Sequence, residues 1–233
     1  MNPSSLTRKR SSIGLLTSVA IFAIAFGIPF AHGQISLLNS SFEDVDPLGR
    51  TPSYGLPIWD YATADSIGGW VVNGKVELIG NYWQAADGVQ SLCLTSGGVG
   101  GAVSQQVATQ AGKEYHVTFA YSGSPDGGSG INSQVSMTWN GSTIGSSNFN
   151  SSDSSHGNMD WQYSTFDVYA TGTTSTLGFI NTSSPASAYM FGPVIDNVSI
   201  SAVSAVPEPS TYAAILGFVS MGFVMVRRRF VRK

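Results

Sequence analysis

Tyr82-Trp83-Gln84 followed by Asp87 sets two aromatic rings beside an amide and a carboxylate. Sugars lay their apolar faces on such rings, while amides and carboxylates take up their hydroxyls. Trp59, Tyr61 and Asp126 could join this group from neighbouring loops. Packing is the competing reading for Trp83, because rings near strand ends usually cover a core; Trp70, Trp139 and Trp161 are assigned to packing. Asp60 with Asp65, or Asp153 with Asp160, could be imagined as the paired carboxylates of a glycoside hydrolase, a reaction that needs a carboxyl separation no sequence fixes. His32, His116 and His156 are scattered, and no Gly-x-Ser-x-Gly elbow, His-Glu-x-x-His or phosphate loop occurs. A binding protein is therefore expected rather than an enzyme.

The elements that must position these residues read as β-strands. Tyr115, Val117, Phe119 and Tyr121 alternate with His116, Thr118 and Ala120, the period of a half-buried strand. Val135, Met137 and Trp139 repeat it, as do Leu177 with Phe179, and Val198 with Ile200 and Ala202. Residues 161–170 follow suit, but their apolar phase shifts between Tyr163 and Phe166, which predicts a bulge. Asn73-Gly74 and Asn140-Gly141 each predict a hairpin. The Gly- and Ser-rich residues 122–130 and 142–157 predict long loops. Between residues 34 and 205 no long segment of helical period is found, so the fold class is all-β, a sandwich or a barrel.

Charge is segregated along the chain. Residues 34–206 carry three basic side chains (Arg50, Lys75, Lys113) against 13 acidic ones, a formal charge of −10, although the 233 residues together give −3. A domain this acidic repels phosphate backbones and excludes nucleic acid as a partner, while it favours solubility and attracts divalent cations. Cys93 is the single cysteine, so no intramolecular disulfide and no multi-cysteine zinc site can form. It is expected to be a small, half-buried thiol.

Both ends look like addresses. In residues 1–33, Arg8-Lys9-Arg10 precedes an apolar run, and Ala31-His32-Gly33 offers the small residues a secretion signal peptidase reads; cleavage near Gly33–Gln34 is expected, with a retained anchor as the alternative. At the other end Val206-Pro207-Glu208-Pro209-Ser210 leads into the apolar residues 212–226 and then Arg227-Arg228-Arg229. Those 15 apolar residues make a helix of roughly 22 Å, short of the roughly 30 Å bilayer core but completed by snorkelling flanks. The arginines place the C-terminus on the cytoplasmic side of a transmembrane helix, and the two prolines predict an extended, accessible segment just outside the membrane.

That order of features over residues 206–233 resembles the PEP-CTERM sorting signal of Gram-negative bacteria, with Pro207, Glu208 and Pro209 as the motif residues. The resemblance implies recognition by an exosortase-type membrane enzyme, removal of the tail, and delivery to the cell surface or an exopolysaccharide matrix. A plain C-terminal anchor is the alternative.

A second resemblance covers residues 37–203. Asn39-Ser40-Ser41-Phe42-Glu43, Gly69-Trp70, Val76-Glu77-Leu78-Ile79-Gly80, the run from Tyr82 to Gly88, Gly112-Lys113-Glu114-Tyr115, residues 123–128 and residues 192–199 follow one another in the order of the choice-of-anchor C family. That family is related to plant cell-wall domains with a galactose-binding-like jelly roll. Membership implies a jelly-roll β-sandwich in residues 34–205, with Glu43 and Asp196 at positions that hold a structural calcium in sugar-binding jelly rolls; the alternative is that both acids hydrogen-bond loop amides. Cys93 departs from the family pattern, which has an acidic residue there. The expected product is exported and non-catalytic, binding extracellular or cell-wall polysaccharide through Tyr82, Trp83, Gln84, Asp87 and Asp126. A structural matrix protein without a sugar site is the alternative, and a glycoside hydrolase a distant one.

Overall fold

The computed structural model describes residues 35–44, 56–128, 130–184, 191–203 and 209–231. The chain divides into two compact units, Met1–Ala31 and His32–Lys233, and every described residue belongs to the second. The signal-like residues 1–33, together with Pro207 and Glu208, lie outside the described residues.

Twelve strands are described: β1 (Ile58–Ala62), β2 (Ser66–Ile67), β3 (Trp70–Ile79), β4 (Ser91–Cys93), β5 (Thr95–Ser96), β6 (Val99–Ala108), β7 (Glu114–Gly123), β8 (Asn132–Trp139), β9 (Ser142–Asn150), β10 (Gln162–Tyr169), β11 (Thr174–Asn181) and β12 (Pro193–Ala202). They form a jelly-roll β-sandwich in which every pairing is antiparallel. One sheet runs β10-β7-β12-β4-β3-β1 and the other β2-β3-β6-β11-β8-β9, with β5 folded onto β6. Alternation sorts the side chains: Tyr115, Val117 and Phe119 of β7 enter the core, while His116 and Thr118 stay at the surface side. The core between the sheets is built on Trp70, Phe119 and Phe179, with the two phenylalanine rings 4.8 Å apart edge to face.

The two Asn-Gly pairs have different fates. Asn140 (φ 51°) and Gly141 (φ 81°) make the expected two-residue hairpin, which brings Trp139 opposite Ser142. Asn73-Gly74 makes none, because β3 is continuous through it. Residues 71–74 pair with β6 in one sheet and residues 75–79 with β1 in the other, so the strand changes sheets at Gly74 (φ 81°). The crossing is possible because bare backbone meets bare backbone: a Cβ on Gly74 would lie 2.5 Å from the Gly100 carbonyl oxygen, and one on Gly101 would lie 2.2 Å from that of Lys75.

Two further expectations are corrected. The anticipated bulge in residues 161–170 is absent: β10 pairs with β7 in unbroken register from Gln162 opposite Tyr121 to Tyr169 opposite Glu114. Ser164, Phe166 and Val168 share the inner side, and Tyr163 simply faces out. Register shifts occur instead in β12, between Asp196 and Ser199, and in β8, between Met137 and Thr138. Residues 142–157 are not a long loop, since residues 142–150 form β9. Its small residues reflect crowding where the edges of the two sheets meet: a Cβ on Gly145 would lie 2.3 Å from the Phe166 ring, and the Ser147 and Ser164 hydroxyls are 2.6 Å apart.

Helix α1 (Pro209–Val231) contains 23 residues, about 34 Å of helix. Pro209 opens it rather than staying outside as expected, since a first-turn proline gives up an amide that has no helical partner anyway. Among the described residues no helix is long and apolar enough to cross a membrane. Arg227 and Arg228 are exposed.

The sheet crossing predicts a sharp contrast between glycines. Gly101→Ala should lower unfolding stability by about 3 kcal/mol or more, because backbone must move, whereas Gly157→Ala, with nothing within 4 Å of the new methyl, should stay within about 0.5 kcal/mol of the parent in chemical denaturation.

Candidate functional site

Between β3 and β4, residues 80–90 fold back over the outer face of the first sheet. A small apolar cluster lies beneath them, made of Ile58, Ile79, Trp83, Cys93, Met159 and Val194. Trp83 is 5% exposed, and its indole N–H donates to the Ser91 hydroxyl at 2.9 Å. A ring so covered anchors the loop. Cys93 is buried in the same cluster; burial, reinforced by Glu77 on the neighbouring strand, pushes its thiol well above the usual range and leaves it unreactive.

Two carboxylates from the opposite ends of the domain fix the path of this loop. Glu43 Oε1 accepts the amides of Val89 (2.9 Å) and Gln90 (2.7 Å). Asp196 Oδ2 accepts those of Ala86 (2.8 Å) and Asp87 (2.9 Å), while its Oδ1 accepts Asn197 N–H at 2.6 Å. Gly88 leaves room for the glutamate, since a Cβ there would lie 2.4 Å from the Glu43 carboxyl. The approach is strained. Phe42 adopts φ 57°, at a cost of about 1–2 kcal/mol for an L-residue, which burial of its ring in the core offsets at about 1.5–3 kcal/mol.

These contacts bear on the calcium expected at Glu43 and Asp196. A hard cation needs six to eight oxygens with lone pairs directed at it. Both Asp196 oxygens and one Glu43 oxygen instead face N–H donors, and among the described residues no three His, Cys, Asp or Glu side chains converge. The donor set does not suit calcium, and loop amides take its place.

Beside the loop lies an open hollow of about 470 Å3 whose walls include Tyr82, Gln84, Ala85, Val89 and His156. Tyr82 is half-buried, and its ring centroid is 4.5 Å from that of His156. Asp126 Oδ1 joins both, bonded to His156 Nε2 at 2.6 Å and accepting from the Tyr82 hydroxyl at 3.3 Å. His156 reaches the site from the segment after β9, which is tied to the loop by Gln84 N–H donating to His156 O and by the Trp161 indole donating to Gln84 O. Of the residues anticipated from sequence, Tyr82, Trp83, Gln84 and Asp126 come together. Asp87 points elsewhere, accepting from the Ser41 hydroxyl at 2.7 Å. Tyr61 is buried in the main core and Trp59 packs against it. His156 was not anticipated; it sits in a Ser-rich stretch 30 residues from Asp126, with no local pattern to mark it.

Of the carboxylate pairs expected as hydrolytic alternatives, Asp65 and Asp60 each meet a neighbour of their own. Asp65 accepts the Ala62 amide at 2.6 Å, and Asp60 takes the Ser96 hydroxyl at 2.5 Å. Asp60 stands opposite Glu77 across β1 and β3 instead. Desolvation first, then Asp60, raises Glu77 from 4.5 to about 7. Burial likewise raises Asp196 from 3.8 to about 7, against the pull of its three amide donors. Asp153 lies in a described turn without a described side chain.

Both raised carboxyls hold protons in the folded chain that the unfolded chain releases. Stability must therefore fall as pH rises from about 4 through about 7 and level off beyond. Glu77→Gln should unfold later than the parent at pH 8 and show a shallower decline between pH 4 and 7 in thermal melts. Removing Glu43's acceptor leaves loop amides unpaired, so Glu43→Ala should cost about 2 kcal/mol, while EDTA leaves the melting temperature of the parent unchanged.

Over 191 residues the chain is 32% identical to Halomucin of Haloquadratum walsbyi; the match covers 78% of this chain, which spans only 2% of that protein's length. Among solved structures, a family 35 carbohydrate binding module from Clostridium thermocellum aligns with TM-score 0.40 at 17% identity, covering 61% of this chain and 96% of that one. The CBM22-1 xylan-binding domain of Paenibacillus barcinonensis Xyn10C gives 0.41 and 16%, over 64% and 95%. A cyclase from Fischerella sp. TAU gives 0.42 and 16%, over 74% and 98%. These likenesses are too distant to carry a function across. Residues 205–229 match the PEP-CTERM protein-sorting motif, which marks export and surface sorting in Gram-negative bacteria. Residues 36–201 match DUF642, described as a protein of unknown function, and the chain belongs to that family.

Proposed function

We propose that the domain binds extracellular polysaccharide, without altering it, through the hollow beside residues 80–90. The observation that carries this reading is the Tyr82 ring, partly open to solvent and braced from below by His156 and Asp126. A ring held in place loses little freedom when a sugar face settles on it. Gln84 adds an exposed amide and His156 an imidazole for hydroxyl groups. The acid balance of residues 34–206 favours a glycan without carboxylates or sulfates. The sorting motif supports an extracellular place of action and an exosortase-type enzyme as processing partner.

The expected outcome in isothermal titration of the full chain with soluble neutral oligosaccharides is binding that Tyr82→Ala weakens about tenfold and that His156→Ala weakens less. Asp87→Ala should leave it unchanged. No heat with any neutral or acidic glycan, together with self-association in sedimentation, would sink the sugar site and favour the matrix-structural alternative.

A further inference from the structure

The solvent side of β10 carries a pattern that the hollow does not use. Its odd-numbered residues face outward, and Tyr163 and Tyr169 are left 57% and 61% exposed. Single exposed rings are ordinary. Two on one straight strand, six residues apart, stand about 20 Å from each other on a common face. Between them the polar side chains are tied sideways to β7. The Tyr169 hydroxyl donates to Glu114 Oε1 at 2.7 Å, Asp167 meets His116 Nδ1 at 2.5 Å, and the Thr165 and Thr118 hydroxyls are 2.8 Å apart. The pairing beneath is unbroken, and Tyr163 stands opposite Ala120, whose methyl adds no bulk. Thr165, Asp167 and Tyr169 are thus already held in place, so a ligand arriving there orders few of the side chains it meets.

We infer that this outer face of β7 and β10 is a second binding surface, which takes an extended, uncharged polysaccharide laid across Tyr163 and Tyr169. Ring, hydroxyl, carboxylate, ring is the sequence of groups that a sugar chain presenting alternate apolar faces and hydroxyls can meet along its length. The charge on the face argues against an anionic chain: β7 and β10 contain Glu114 and Asp167 but no lysine or arginine. A second copy adding a strand to the edge is opposed by what already caps it. The Trp139 indole donates to Tyr169 O at 3.0 Å, and Ser147 of β9 meets Ser164 at 2.6 Å. The strip is also continuous with the hollow. Trp161 precedes Tyr163 by two residues, and its indole donates to Gln84 O. One long polymer can therefore cross both surfaces, although the outer face needs no contribution from Tyr82.

The test separates the two surfaces. The full chain is incubated with microcrystalline cellulose and with chitin beads, and bound protein is measured against concentration. The parent is expected on at least one solid, with the Tyr163→Ala/Tyr169→Ala double variant weakened about tenfold or more at an unchanged melting temperature, and Tyr163→Phe equal to the parent. Tyr82→Ala should retain most of its hold on the solid while losing soluble oligosaccharides. The inference is overturned if the double variant binds like the parent, if only Tyr82→Ala releases the solid, or if the parent is retained by neither solid. Sedimentation supplies a further arm: a parent dimer that the double variant converts to monomer would show that the face serves a second copy, and would overturn the polysaccharide.

Discussion

The site depends on two carboxylates that grip one irregular loop. Residues 80–90 have no regular strand to satisfy their amides, yet they lie on a sheet face partly shielded from water. An amide buried without an acceptor costs about 1–3 kcal/mol; four loop amides find acceptors here, on the half-buried Ala86, the buried Gln90 and the exposed Asp87 and Val89. Glu43 and Asp196 accept those four, two each. The grip is strong enough to hold Phe42 and Asn197 at positive φ beside it, and to keep Asp196 fully covered although burial lifts its carboxyl toward neutrality. Trp83 supplies the apolar half of the same fastening.

Much of the fold was legible because alternation is a direct consequence of burying one side of a strand. β7, β8, β11 and β12 follow the pattern read from their side chains. What failed was local chemistry with more than one meaning. An Asn-Gly pair grants positive φ, and a chain uses that freedom either to turn back, as at Asn140-Gly141, or to cross between sheets, as at Asn73-Gly74. Nothing near residue 73 distinguishes the two, because the deciding partner is Gly101, 27 positions beyond Gly74. β9 was hidden for a related reason. Its glycine and serines reflect lack of room beside Phe166 and Ser164, and small residues otherwise signal a loop.

The candidate site was legible in its aromatic half only. Tyr82 and Trp83 are adjacent and both border the hollow, but Tyr82 is half-buried whereas Trp83 is covered and rooted in the apolar cluster beneath. Asp126 could be suspected as an acid in a turn, whereas His156 had no signal at all until the tertiary fold set it against Tyr82. Glu43 and Asp196 were recognised as paired positions, and of the two readings open to them the contacts follow the second, a set of loop amides. The donors that decide the matter are backbone groups, which every sequence contains and none displays.

The order of strands in the first sheet has a consequence for how the protein matures. β12 is the last strand along the chain, yet it lies between β7 and β4 in the middle of that sheet. Until it inserts, β10-β7 and β4-β3-β1 are separate ribbons, and Asp196 is not yet there to hold the loop. A polypeptide threading a translocon amino-end first must therefore wait, half assembled and slow to finish because its decisive pairings are remote in sequence, until nearly all of it has emerged. The loop that Asp196 holds is therefore among the last parts of the domain to take shape.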